Sequence, residues 1–278
     1  MTHFLKKLQA SCESRRSLLC VGLDPDPNRM PVRDVFEFNR AVIDATADLV
    51  CAFKPNIAFY EAMGVEGLKA LEGTVKHIRK VAGNVLIIGD GKRGDIGPSM
   101  EAYYTAMFDV WGVDAVTVSP YLGVDSLSHV IDDGDKGIFV LCRTSNHSSQ
   151  DFQDLIASSD GQELPLYQHV ARKSREWNTA GNIGLVVGAT YPQELKAVRE
   201  LCPDMPILIP GVGAQGGSLE DAVRWGTDGS GRLAIINSSR QVLYASSGND
   251  FQTAARIEAA RLREQINQAL AREGNGWS

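Results

Sequence analysis

The sequence predicts an α/β protein that closes into a single (β/α)8 TIM-type barrel over residues 1–278. Three observations carry this expectation. Eight short apolar runs alternate with stretches whose apolar residues recur at helical spacing. The runs are rich in Val, Ile and Leu and do not alternate in polarity, as parallel strands buried on both faces should read. No proline-rich linker or shift of composition divides the chain, and its length suits one barrel. A doubly wound open sheet is the alternative. It would place a GxGxxG fingerprint after the first strand, and none follows there.

The elements follow in order. Residues 4–14 read as a helix, and 17–24 as the first strand. Pro25 and Pro27 end that strand, because proline fixes φ and cannot donate to a ladder. Residues 34–49 are helical, with Val35, Phe38, Val42, Ala45 and Leu49 on one face. The second strand, 51–56, carries Lys54 near its end. A helix over 60–81 is interrupted around Gly64–Gly67. The third strand, 84–89, runs into Asp90-Gly91-Lys92-Arg93-Gly94-Asp95. Next come a helix at 100–111, a strand at 114–119, a short helix at 124–131 and a strand at 137–142. The polar stretch 143–163 is long for a connection in a compact domain, which points to a functional loop or lid. Then follow a helix at 165–178, a strand at 182–188, a helix at 192–201 and a strand at 206–210. The glycine-rich stretch 211–217 leads to a short helix at 218–225. The eighth strand, 232–237, precedes Ser238-Ser239-Arg240. A helix at 250–271 and a tail expected to fray complete the chain.

Composition narrows the partners. A net charge of −6 without a long basic run argues against nucleic acid and against an anionic membrane surface. A phosphorylated small molecule stays open, since local cations and backbone amides can hold it. Five cysteines, odd in number and without a CxxC pair, read as reduced thiols in a cytoplasmic protein. The segment 1–8 is too polar and short for a signal peptide or membrane span. The five histidines never stand at metal-ligand spacing, so no metal site is expected.

In a barrel, everything just past each strand faces one rim, where ligands bind. That rim collects Asp24, Lys54, Asp90, Lys92, Asp95, Ser119, Arg143, Ser145, Gln215 and Arg240. Asp90 and Lys92 are two apart, so both side chains can leave one face of an extended segment. A carboxylate beside an ammonium keeps both charged near neutral pH. Taken alone, such a triplet reads as a surface salt bridge; its place at a strand's end, with matching signals elsewhere, points to a site. The last two rim loops, with Gln215 and Arg240, suit a phosphate: glycine lets the backbone approach an anion, and arginine binds it through two donors.

These segments resemble the orotidine 5′-phosphate decarboxylase family, in its second bacterial subgroup. The likeness rests on residues 90–97 (Asp-Gly-Lys-Arg-Gly-Asp-Ile-Gly), 53–56 (Phe-Lys-Pro-Asn), 117–123 (Thr-Val-Ser-Pro-Tyr-Leu-Gly), 141–146 (Leu-Cys-Arg-Thr-Ser-Asn) and 237–240 (Asn-Ser-Ser-Arg), in the family's order along nearly the whole chain. The resemblance implies cofactor-free conversion of orotidine 5′-monophosphate to uridine 5′-monophosphate in pyrimidine biosynthesis. It implies a charged array of Lys54, Asp90, Lys92 and Asp95, with Asp95 reaching the neighbouring subunit's site across a homodimer. Lys92 would stabilise and protonate the carbanion at C6. Asp24 and Lys54 would contact ribose hydroxyls, Ser145 the pyrimidine amide, and Gln215 and Arg240 the phosphate. Two departures stand out. Ser119 replaces a frequent Asn, and His147-Ser148 replaces a usual Pro-Gly pair.

Other readings use the same motif. A metal-dependent sugar-phosphate decarboxylase or epimerase of the wider barrel group would need a divalent cation. A Schiff-base aldolase would need a lysine of lowered pKa, which neighbouring aspartates oppose. An inactive phosphate-ligand binder would leave a costly cluster of charges unexplained.

Overall fold

The computed structural model describes residues 2–159, 161–213 and 216–277. Its ten strands are β1 (Leu19–Leu23), β2 (Ala52–Pro55), β3 (Leu86–Arg93), β4 (Ala115–Val118), β5 (Gly137–Arg143), β6 (Ile156–Ser159), β7 (Gln162–Pro165), β8 (Ile183–Val187), β9 (Ile207–Ile209) and β10 (Ala234–Ser238). Eight of them close a parallel barrel in the order β1-β2-β3-β4-β5-β8-β9-β10, with β10 returning to β1. All eight predicted runs therefore lie in the barrel. β1, β2, β8, β9 and β10 are buried along their whole length, which is why their sequences are apolar without alternation.

Helices coat the outside, and their apolar faces join the strands in one core. His3–Arg15 closes the N-terminal end of the barrel. Thr2 caps it by accepting from the Leu5 amide, and Phe4 meets Phe139 edge-on at 6.1 Å. Asp34 caps Val35–Thr46 in the same manner, through the Glu37 amide. Among the described residues no helix is long and apolar enough to cross a membrane.

Several elements differ from the sequence expectation. The helix expected over 60–81 begins earlier, at Ile57, and its expected interruption falls just before Gly64, which takes a left-handed φ of 62°, so that it forms two helices, Ile57–Glu61 and Gly64–Ala82. The helix expected at 100–111 starts earlier, at Gly97, and widens to a π-turn over Thr105–Val110. The helix expected at 124–131 is only a 3-10 turn, Gly123–Ser126, followed by hydrogen-bonded turns. The expected loop at 143–163 is ordered instead into a 3-10 turn (His147–Ser149), a short helix (Gln150–Gln153) and the antiparallel hairpin β6–β7. Its polar residues hid this hairpin, because both strands are half exposed. A short helix, Arg240–Leu243, follows β10 where none was anticipated.

β3 also runs farther than its apolar stretch. It continues through Asp90 and Lys92 to Arg93, with a bulge between Gly89 and Arg93 where its register with β4 shifts. The apolar signal stops at Asp90 because the next residues face partners in neighbouring strands.

Candidate active site

A cavity of about 370 Å³ opens at the C-terminal ends of the strands. Its walls include Asp24, Lys54, Asn56, Asp90, Lys92, Thr117, Thr144, Ser145, Asn146, Asn237, Ser238, Ser239 and Arg240. Leu141, Val186, Leu208, Pro210 and Val212 add an apolar side.

The charged centre is built from three adjacent strands. Lys54 sits on β2 beside Gly22 of β1. A Cβ at Gly22 would strike Ser239 Oγ and stand 3.2 Å from Asn237 Oδ1, so glycine there leaves room for the β10 side chains. Lys54 Nζ donates to Asp90 Oδ2 at 2.6 Å, and Lys92 Nζ to Asp90 Oδ1 at 2.6 Å. Thr117 of β4 donates its hydroxyl to the same Oδ1 at 2.8 Å. Lys54 and Asp90 are 4% and 7% exposed, whereas the Lys92 side chain is about half exposed. One carboxylate thus bridges a buried ammonium and a cavity-facing one.

Electrostatics follow from that arrangement. Burial alone would raise the Asp90 pKa, but the Lys54 and Lys92 ammoniums outweigh it and hold the carboxyl well below its ordinary range. Burial alone would lower the Lys54 pKa, but Asp90 and Asp24 hold it above the ordinary lysine value. Asp90 and Lys54 therefore both stay charged through neutral pH. Among the described residues Asp24 Oδ1 is buried against the cavity without a hydrogen-bond partner, and so is Ser238 Oγ. Such groups suit a ligand's hydroxyls.

Ser145 and Arg240 also reach the cavity. Ser145 lies over Gly188, where a Cβ would stand 2.8 Å from its Cα and Cβ. The Ser145 carbonyl accepts from Thr190 at 3.2 Å. Arg240 opens the helix after β10, whose first amides lack partners within the helix. Among the described residues its guanidinium has no hydrogen-bond partner. The amides of Gly213, Gly216 and Gly217 are turned onto their own loop, to Gly217, Gly213 and Gly211 carbonyls. Gln215, expected beside Arg240, lies outside the described residues.

Three rim residues stay out of the cavity. Asp95 is half-buried two residues past β3 and accepts from the Ile96 amide at 2.9 Å. Ser119 donates its amide to the Arg93 carbonyl at 2.7 Å, extending the β3–β4 pairing beside the site. Arg143 turns behind the wall. It is 1% exposed, pairs with Asp154 at 3.0 Å, donates to Ser149 and Gln153, and lies 3.8 Å over the Tyr191 ring. It holds the loop that carries Ser145 instead of facing ligand. The Ser149 it engages closes the turn begun by His147-Ser148, so the unusual pair opens a turn that Arg143 pins.

Thr117, Asn56 and residues 237–239, at and just past the end of β10, are site residues that the sequence pattern did not single out. Their signal is positional: each lies at a strand's C-terminal end, and Asn56 stands two beyond Lys54 with a bridge to Asp90. Among the described residues no group of three or more His, Cys, Asp or Glu could hold a metal ion.

Comparison with known proteins places these features in a family. Residues 17–257 match the model of the "Orotidine 5'-phosphate decarboxylase / HUMPS family". A protein of Dehalococcoides mccartyi named orotidine 5′-phosphate decarboxylase is 54% identical over 265 residues, covering 95% of this chain and 97% of that one. The solved structure of Leishmania donovani OMP decarboxylase superposes with a TM-score of 0.82 at 37% identity, covering 97% of this chain and 99% of that one. Leishmania donovani UMP synthase gives a TM-score of 0.86 at 38% identity; 97% of this chain is covered, but it spans only 57% of that longer protein.

Proposed function

The chain belongs to the orotidine 5′-phosphate decarboxylase family, and on that premise we propose that its cavity converts orotidine 5′-monophosphate to uridine 5′-monophosphate and CO2. The observation that carries this reading is the bridge Lys54–Asp90–Lys92, with one ammonium buried and the other offered to the cavity. In the reaction the bond from C6 to the carboxylate breaks and leaves its electron pair on C6. That vinylic carbanion has little resonance relief, so its stabilisation must be electrostatic. Lys92 supplies the positive charge beside C6 and then its proton. The half-exposed amine regains a proton from solvent. Asp90 aims Lys92 through their 2.6 Å hydrogen bond, and Lys54 fixes the far side of Asp90. The apolar side of the cavity limits water around the reacting carbon.

Binding is assigned to the other walls. Asp24, with its unpartnered oxygen, takes ribose hydroxyls together with Lys54. Ser145 reads the pyrimidine amide, and Arg240 with Gln215 grips the phosphate. The remote phosphate contact supplies binding energy that closes loops and orients the ring. Asp95 acts in the neighbouring site of a homodimer; its place outside its own cavity supports this. No metal or organic cofactor takes part. The five buried free thiols suit the reducing cytoplasm.

The test is to follow loss of orotidine 5′-monophosphate ultraviolet absorbance with purified protein, with and without EDTA. Turnover unaffected by the chelator supports the reading. Folded protein that leaves the substrate intact refutes it, and turnover abolished by EDTA moves the assignment to metal-dependent chemistry.

A further inference from the structure

Lys92 is one of three described non-glycine residues with positive φ, at +47°. An L-residue there is strained, because its Cβ crowds the following carbonyl oxygen. The strain falls inside the β3 bulge, where the ladder to β4 shifts register. Regular pairing does not hold the backbone at that point. One side chain does. Thr117 Oγ1 accepts from the Lys92 amide at 2.9 Å and donates to Asp90 Oδ1 at 2.8 Å. Thr117 is 2% exposed, so neither bond competes with bulk water. On the other side of the bulge Met107, from the π-turn, fills the space behind the strand. A Cβ at Gly91 would lie 2.6 Å from its Cε, and one at Gly89 3.1 Å from its Sδ.

We propose that Thr117 is a positioning residue for the decarboxylation: one hydroxyl fixes both the Lys92 main chain and the carboxylate that aims its ammonium. The inference rests on the decarboxylase reading above. Its logic is geometric. A hydroxyl is a donor and an acceptor at once, and here it uses both roles on residues two apart. Without it, Lys92 loses the bond that offsets its left-handed backbone, and Asp90 loses one of the donors that fix its rotamer. The bulge can then relax toward an ordinary strand, which turns residue 92 away from its present direction. Serine keeps the hydroxyl. Valine keeps the shape and removes it.

The experiment compares wild type, Thr117→Val and Thr117→Ser. It reads kcat, KM, the affinity for uridine 5′-monophosphate, and hydrogen exchange at the Lys92 amide. Thr117→Val should lower kcat roughly 10- to 100-fold, the scale of one hydrogen bond to a charged group. Product affinity should change less than about threefold, because the groups assigned to ribose, base and phosphate stay in place. The Lys92 amide should exchange faster, and Thr117→Ser should restore both kcat and protection. Retained kcat in Thr117→Val overturns the proposal, and so does an equal loss in Thr117→Ser. A parallel loss of product affinity overturns it in favour of direct substrate binding. Wild type without turnover sinks the decarboxylase reading itself, which these variant outcomes leave intact. If Thr117→Val does not fold, Thr117→Cys, a weaker donor of similar size, is judged by the same criteria.

Discussion

Replacing Asp90 by Asn tests the electrostatics of the centre through stability. The carboxylate holds Lys54 and Lys92 at 2.6 Å each, and Lys54 is buried. Asn keeps the shape and removes the charge. It leaves the Lys54 ammonium facing a neutral amide. Breaking a buried pair from one side costs about 3–5 kcal/mol, because an uncompensated charge remains. For a chain of this size each kcal/mol moves Tm by roughly 2–4 °C, so Asp90→Asn should melt about 6–20 °C lower at pH 7. The pH dependence has a definite sign. Wild-type Asp90 has a depressed pKa, so its contribution is complete above the ordinary carboxylate value and is lost as pH falls through the folded value. Wild-type Lys54 has a raised pKa, so its contribution is complete below the ordinary lysine value and is lost as pH rises through the folded one. In the variant, burial opposed only by Asp24 lowers the Lys54 pKa from its wild-type position, and the penalty vanishes once lysine is neutral in both states. The gap between the two proteins should therefore be widest between about pH 5 and 9 and narrow on either side. Thermal melts across that range are the assay. Melting of Asp90→Asn within about 2 °C of wild type at pH 7 would refute the claim that Asp90 compensates a buried charge.

Further expectations follow from other parts of the site. Asp95→Ala and Lys92→Ala should each be nearly inactive. When mixed and allowed to exchange subunits they should recover roughly a quarter of wild-type activity, since half of the dimers then carry one intact site; no recovery would place Asp95 within its own site. Arg240→Ala should raise KM for orotidine 5′-monophosphate roughly 10- to 100-fold, the worth of a charge-assisted contact, and should leave the affinity for the unphosphorylated nucleoside unchanged. Burial pushes the Cys20 thiol up to about 12 and Cys202 up to about 11. All five cysteines are buried and should resist a disulfide reagent at pH 8 in native protein and react once it is unfolded; rapid native labelling would contradict the packing.

The barrel was legible because its strands are buried on both faces and so carry continuous apolar sequence. β2, β8 and β9 agree with their predicted spans to within one residue at every end. The charged centre was legible because Lys54, Asp90 and Lys92 interrupt such runs at their C-terminal ends. Thr117 was not, since threonine is an ordinary strand residue and its double hydrogen bond is visible only once β3 and β4 are side by side. Arg143 misled for the opposite reason. A charge at a strand's end suggests the rim, but a long side chain can turn back, and Ser149, Gln153 and Asp154 supply partners that no local pattern announces. The hairpin at 156–165 escaped notice because half-exposed strands of polar residues look like loop.

The central claim is that Lys92 provides the charge and proton that permit decarboxylation without a cofactor. The most direct measurement is the rate of orotidine 5′-monophosphate decarboxylation by wild type and Lys92→Ala, with uridine 5′-monophosphate binding as the control for an intact site. Wild type should turn over substrate regardless of chelator, and the variant should lose on the order of a thousandfold or more while still binding product. Turnover by Lys92→Ala within about tenfold of wild type would contradict the claim, because the carbanion would then be stabilised by something other than the Lys92 ammonium.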